Sequence, residues 1–238
     1  MILNTFVHVR ERFTDHEIAH QPLRKVVKML RQNRPWIVIS IVIFLFWLVT
    51  AIKNQTTIYY FKYTLHASSL VPIANSFTLS SLLGVLLIMR LTHHLSKKQT
   101  MQLGIIVELV GQLLLSGGVY LNLLPLLFAG ILVNSVGNGI VVGLVSIMIA
   151  DTVRYGMTMG IQAEGVLAST DDFGVNMGLG LGGLITAGLF DLAGYVPNHA
   201  QNAATLGMIN LNYVWLPLVI YLFCLLYTSP SPRDPKTS

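Results

Sequence analysis

Six long apolar runs, separated by short polar stretches, organise the chain; they cover residues 36–52, 70–91, 101–121, 123–150, 165–194 and 204–227. An α-helix needs about 20 apolar residues to cross a hydrocarbon core of about 30 Å, and these runs are of that order. The two longest, 123–150 and 165–194, are expected to tilt or to break at glycine. The polar connections at 93–100, 152–164 and 195–202 are brief. This pattern predicts an all-α integral membrane protein with six transmembrane helices.

Composition agrees. The chain is 53% hydrophobic and 11% charged, whereas a soluble domain carries about 25% charged residues. The formal charge of +5 does not form a stripe suited to nucleic acid, because the basic residues flank the apolar runs. Cys224, the single cysteine, lies in an apolar run and has no intramolecular disulfide partner. Residues 1–35 are polar and basic, without the apolar core of a secretory leader.

The basic residues also predict an orientation. Arg10, Arg12, Arg24, Lys25, Lys28, Arg31, Arg34, Arg90, Lys97, Lys98, Arg154, Arg233 and Lys236 fall on one side, against Lys53 and Lys62 on the other. Cytoplasmic loops carry the excess of Lys and Arg, so both termini are expected in the cytoplasm, with the bundle in the plasma (inner) membrane. The domains read as a cytoplasmic segment over 1–35, a six-helix bundle over 36–227 and a proline-rich polar tail over 228–238. The tail resembles translated adaptor sequence, and both ends are expected to be truncation points.

Polar residues inside the runs are the candidates for function. Asp171 and Asp172 stand side by side in the fifth run. An acid at the bilayer centre costs roughly 2.5–3.5 kcal/mol on insertion scales, so such acids face a bundle interior or a watery cavity. Ser169, Asp172 and Asn176 share one helix face, while Asp171 points about 100° away. One acid is thus placed to face a solute cavity and its neighbour another helix. The bland alternative puts both in a vestibule near the cytoplasmic end, satisfying local polar groups.

Asn134 and Asn138, four residues apart in the fourth run, either join the same cavity or hydrogen-bond between helices. Glu108 is either a buried network member or a side chain snorkelling to the interface. Asp191 is expected as a cap or interfacial residue. Gly174, Gly178 and Gly182, with Gly139 and Gly143, form small-xxx-small steps that explain close helix packing without a ligand. The histidines make no metal-spaced pair within a run, and His93 and His94 read as a solvated turn. No zinc-protease motif or nucleophile elbow is present, so an enzyme is not expected.

The most specific stretch begins DTVRYGMTMGIQAEG at Asp151, continues through Asp171 and Asp172, and closes with AGYVPN at Asn198. Together with Asn33-Arg34-Pro35, Tyr59-Tyr60-Phe61-Lys62-Tyr63 and the basic turn at Lys97-Lys98, it resembles the glycoside–pentoside–hexuronide:cation symporter family, the melibiose-carrier branch of the major facilitator superfamily. The resemblance implies that the six helices are helices seven to twelve of a twelve-helix carrier, its C-terminal bundle. It implies a sugar or glycoside solute, a lipid bilayer around the bundle, and a missing N-terminal six-helix half as partner. It implies no cofactor beyond a coupling cation, Na⁺ or H⁺, held mainly in that missing half.

On this resemblance Asp172, Asp171, Asn176, Ser169, Asn138 and Asn134 are the expected solute-binding set. Asp151, Tyr155, Gly156 and Glu164 are the expected cytoplasmic conformational motif. Four positions depart from the family pattern: Arg154 replaces an acid, Gln162 an arginine, Asn176 a lysine and Val142 an aromatic residue. An ionic lock between these loop ends therefore needs other partners. Two other readings stay open: a carrier of another solute, lipid or organic anion, on the same scaffold, and a non-transporting half-size membrane subunit.

Overall fold

The computed structural model describes the backbone of residues 34–158 and 164–228 and the side chains of residues 36–151 and 172–228. No strand occurs among the described residues. Helix α1 (Arg34–Tyr59) runs on into a π turn at Tyr60–Thr64. The second span is broken: a 3₁₀ turn at Ser68–Leu70, α2 (Val71–Ser76), a second 3₁₀ turn at Phe77–Ser80, then α3 (Ser81–His94). Helices α4 (Lys97–Leu121), α5 (Leu124–Thr158) and α6 (Glu164–Leu192) follow. The last span joins α7 (Ala203–Asn210) to α8 (Leu216–Thr228) through a π turn at Leu211–Trp215.

Six of these helical segments, taken with their turns, are long and apolar enough to cross a membrane: Trp36–Thr64, Ser68–His94, Lys97–Leu121, Leu124–Asp151, Asp172–Leu192 and Ala203–Thr228. The expected all-α six-span class is therefore present, with corrections to single elements. The first span does not end at residue 52; it passes through Lys53 and reaches Thr64. A lysine interrupts an apolar run but not a helix, and this one finds a partner inside the bundle. The second and last spans, expected as single helices, contain 3₁₀ and π turns.

Local chemistry explains the sharpest ends. Ser96 and Gln99 form a reciprocal capping box that starts α4: the Gln99 amide lies 3.3 Å from Ser96 Oγ, and the Ser96 amide donates to Gln99 Oε1 at 3.0 Å. At the other end Asn122 takes the left-handed conformation (φ 52°), and the Leu123 amide returns to the Gly118 carbonyl at 3.0 Å. The resulting tight turn folds α5 back along α4. A Cβ at Gly111 would land on the main chain of Asn134, and one at Gly118 on that of Leu127. The two backbones touch at these points, which brings Asn134 beside the Glu108 turn.

Two apolar clusters form the core. One joins Ile39, Ile43, Met101, Ile105, Ile140, Leu144 and Cys224; the other joins Tyr60, Phe61, Leu115, Leu127, Ile209 and Tyr213. Along α1, α4 and α5 the stretches between them carry polar side chains: Thr50, Lys53, Asn54 and Thr57, then Glu108 and Gln112, then Asn134, Ser135 and Asn138. The bundle thus has a polar layer between two apolar ones.

Candidate functional site

The polar layer opens into a cavity of about 570 Å³. Thr50, Lys53, Asn54 and Thr57 line it from α1, Asn75 and Thr78 from the broken second span, and Asn134, Ser135 and Asn138 from α5; Tyr213 and Tyr221 of the last span also contribute. The α1 residues recur at i, i+3, i+4 and i+7, one face of a helix. The second span's 3₁₀ turns matter here, because they alter the path of the chain where Asn75 and Thr78 meet the cavity.

Hydrogen bonds fix the centre of this layer. The Lys53 ammonium donates to Asn134 Oδ1 at 2.6 Å, and Asn134 Nδ2 donates to the Glu108 main-chain carbonyl at 2.8 Å. Asn138 lies within hydrogen-bonding reach of the Glu108 carboxylate, and Tyr221 within reach of Asn134. Lys53 also sits 5.9 Å from the centre of the Tyr221 ring, within cation–π range. Such a layer can present amide, hydroxyl and ammonium groups to a polyhydroxylated solute.

The sequence candidates separate in space. Asn134 and Asn138 line the cavity. Glu108, 1% exposed, is a buried member of the network and does not snorkel. Asp172 and Asn176 lie on an exposed face of α6, outside the cavity lining, and Asn176 Nδ2 donates to the Asp172 main-chain carbonyl at 2.7 Å. The side chains of Ser169, Asp171, Tyr155 and Glu164, and the surroundings of Gly156, lie outside the described residues. Lys53 escaped the sequence reading because the polar run after it looked like a loop. Its i, i+3, i+4, i+7 spacing with Thr50, Asn54 and Thr57 was the signal that could have found it.

At the two ends of the bundle, motifs distant in sequence meet. Lys97 pairs with Asp151, closing the basic turn onto the end of α5; both side chains are well exposed. This is an ionic contact that does not use Arg154 or Gln162. At the opposite end Lys62 donates to Asn198 Oδ1 at 2.7 Å, the Asn198 amide donates to the Tyr63 hydroxyl at 3.0 Å, and the Tyr63 and Tyr195 hydroxyls lie 3.0 Å apart. Tyr59 and Phe190 complete an aromatic cluster with Tyr195. The small-residue steps do what packing requires: Gly174, Gly178 and Gly182 admit α1, and Gly139 admits the start of α3.

Among the described residues, six apolar spans around a polar cavity define a bundle of the polytopic membrane type. The chain belongs to the MFS/sugar transport protein family, whose profile matches residues 1–230. It is 35% identical over 236 residues to the isoprimeverose transporter of Lactiplantibacillus pentosus, covering 97% of this chain and 49% of that protein. A putative sulfoquinovose importer of Salmonella typhimurium is 29% identical over 217 residues, covering 88% of this chain and 45% of the importer. The glucuronide carrier protein homolog of Escherichia coli is 26% identical over 189 residues, 77% of this chain and 41% of the homolog. The chain spans about half the length of these relatives.

Proposed function

We propose that the chain supplies the C-terminal six-helix half of a secondary carrier that couples entry of a sugar or glycoside to Na⁺ or H⁺. Solute binds at the polar layer, and a second six-helix bundle completes the site, with alternating access by rocking of one bundle against the other. The coupling cation sits mainly in that second bundle. Both ends of this chain face the cytoplasm, in the plasma (inner) membrane. The observation that carries the reading is the cavity lined by Lys53, Asn134 and Asn138 between two apolar clusters.

Asn134 and Asn138 supply one part of the solute contacts. Asp172 and Asn176 supply another, from the exposed face of α6 that a second bundle would cover, and Ser169 and Asp171 of the same helix complete the set. Asp151 and its Lys97 partner, with Tyr155, Gly156 and Glu164, act as the cytoplasmic contact that opens and closes with the cycle.

The test is uptake by proteoliposomes made from the reading frame that contains this chain, with labelled isoprimeverose as probe. Accumulation driven by an imposed Na⁺ or proton gradient, and abolished by collapsing it, is expected. Equilibration without accumulation under either gradient would favour a facilitator, and no sugar movement with isoprimeverose, a glucuronide or sulfoquinovose would sink the reading.

A further inference from the structure

Glu108 is buried at 1% exposure, and its Oε1 has no hydrogen-bond partner among the described residues. The charged and titratable groups that face it come from other helices: Lys53 from α1, and Tyr221 and Cys224 from α8. Helix α5 contributes only neutral amides, Asn134 and Asn138. Asn134 is the clip between the charges, since its carbonyl oxygen holds the Lys53 ammonium and its amide holds the Glu108 main chain. Asn134, Asn138 and Lys53 all line the cavity, so whatever fills the cavity competes for the clip.

A buried carboxylate is tolerable only while an opposite charge is held near it. We propose that Glu108 is a proton-binding site within this bundle, charged while Lys53 is clipped to Asn134 and protonated once a solute hydroxyl takes that amide. This rests on the sugar-carrier reading. The solute O–H donates to Asn134 Oδ1, the flexible lysine swings its ammonium into the cavity, and the carboxylate loses its counter-charge. A hydronium ion then transfers its proton; an O–H bond forms at Oε1 and water leaves. Solute and proton bind together, and by linkage each strengthens the other's binding.

The experiment uses the protein of the complete reading frame in nanodiscs, with isoprimeverose as probe and infrared difference spectroscopy as readout. Adding isoprimeverose to the parent should produce a protonated-carboxyl C=O band and take up one proton per sugar bound. The band should vanish in Glu108→Gln and persist in Asp191→Asn. Above the Glu108 midpoint, isoprimeverose affinity should fall about tenfold per pH unit in the parent and stay flat in Glu108→Gln. A band that survives Glu108→Gln, or binding without proton uptake, overturns the proposal.

If the protein binds no isoprimeverose, the sugar reading fails on its own. Lys53→Met then decides the proton site, since the carboxyl band should appear in that variant without any solute. Its absence there overturns the site. The same variant decides the matter if Glu108→Gln does not fold.

Discussion

Gln112 answers a problem that Pro217 creates. Proline lacks the N–H that would bond the carbonyl four residues back, which is that of Tyr213. The Gln112 amide reaches it at 2.8 Å and the neighbouring Val214 carbonyl at 3.1 Å. A buried carbonyl left without a donor costs about 1–3 kcal/mol, so Gln112→Leu should lower the thermal unfolding midpoint in detergent, whereas Gln112→Asn should lower it too, because its amide is one methylene short. An unchanged midpoint in both would mean that water reaches these carbonyls. At the proposed α6 contact, Asp172→Asn should weaken isoprimeverose binding to the complete carrier by ~10- to 150-fold, from a lost charge-assisted hydrogen bond of about 1.5–3 kcal/mol. Asp171→Asn should weaken it less; binding assays at matched expression compare the two, and the reverse order would reassign the facing acid. Asn134 and Asn138 were legible in the sequence because two amides one helical turn apart are conspicuous in an apolar run. Lys53 was hidden because hydropathy weighs charge without regard to the partner that a fold provides.

Helix pairs in this bundle are set by where a side chain is missing. A Cβ at Gly178 would stand 2.8 Å from both the Phe44 carbonyl oxygen and Trp47 Cβ, while one at Gly180, half a turn on, meets nothing within 4 Å. Gly178→Val should therefore force α6 from α1 and cost about 1–3 kcal/mol as overpacking does, and Gly180→Ala should leave the unfolding midpoint of the purified protein almost unmoved. Equal effects would deny that α6 packs on α1 through this stripe. The exposed Lys97–Asp151 pair sits at the other extreme: Lys97→Ala should change stability by less than about 1 kcal/mol, and added salt should shrink even that. The spans themselves were legible because apolar length is a direct requirement of a bilayer. The π turn of the last span was not, since it depends on carbonyls finding a donor on a neighbouring helix, as Tyr213 and Val214 do with Gln112.

For the bundle as a whole, placing Lys53 in the polar layer of the first span sharpens the proposed orientation, because Lys62, at the far end of that span, is then the one Lys or Arg among the described residues assigned to the outer side. Asn198→Cys should react with an impermeant thiol reagent added outside cells and Lys97→Cys only after permeabilisation, with buried Cys224 as a silent background. The opposite pattern would invert the molecule. The end proposed to face outward is held by Lys62 and Tyr63, which lie in the π turn Tyr60–Thr64. A π turn holds about one residue more than an α turn, and each residue advances the helix by about 100°. The extra residue is a phase shift within a single span. It aims Lys62 and Tyr63 at Asn198 and Tyr195 while leaving Lys53, below it, in register with Asn134. Deleting one residue from this turn would rotate the outer contacts away by about 100° and leave the polar layer where it is, so the first helix addresses its outer mouth and its interior with two separately adjustable angles.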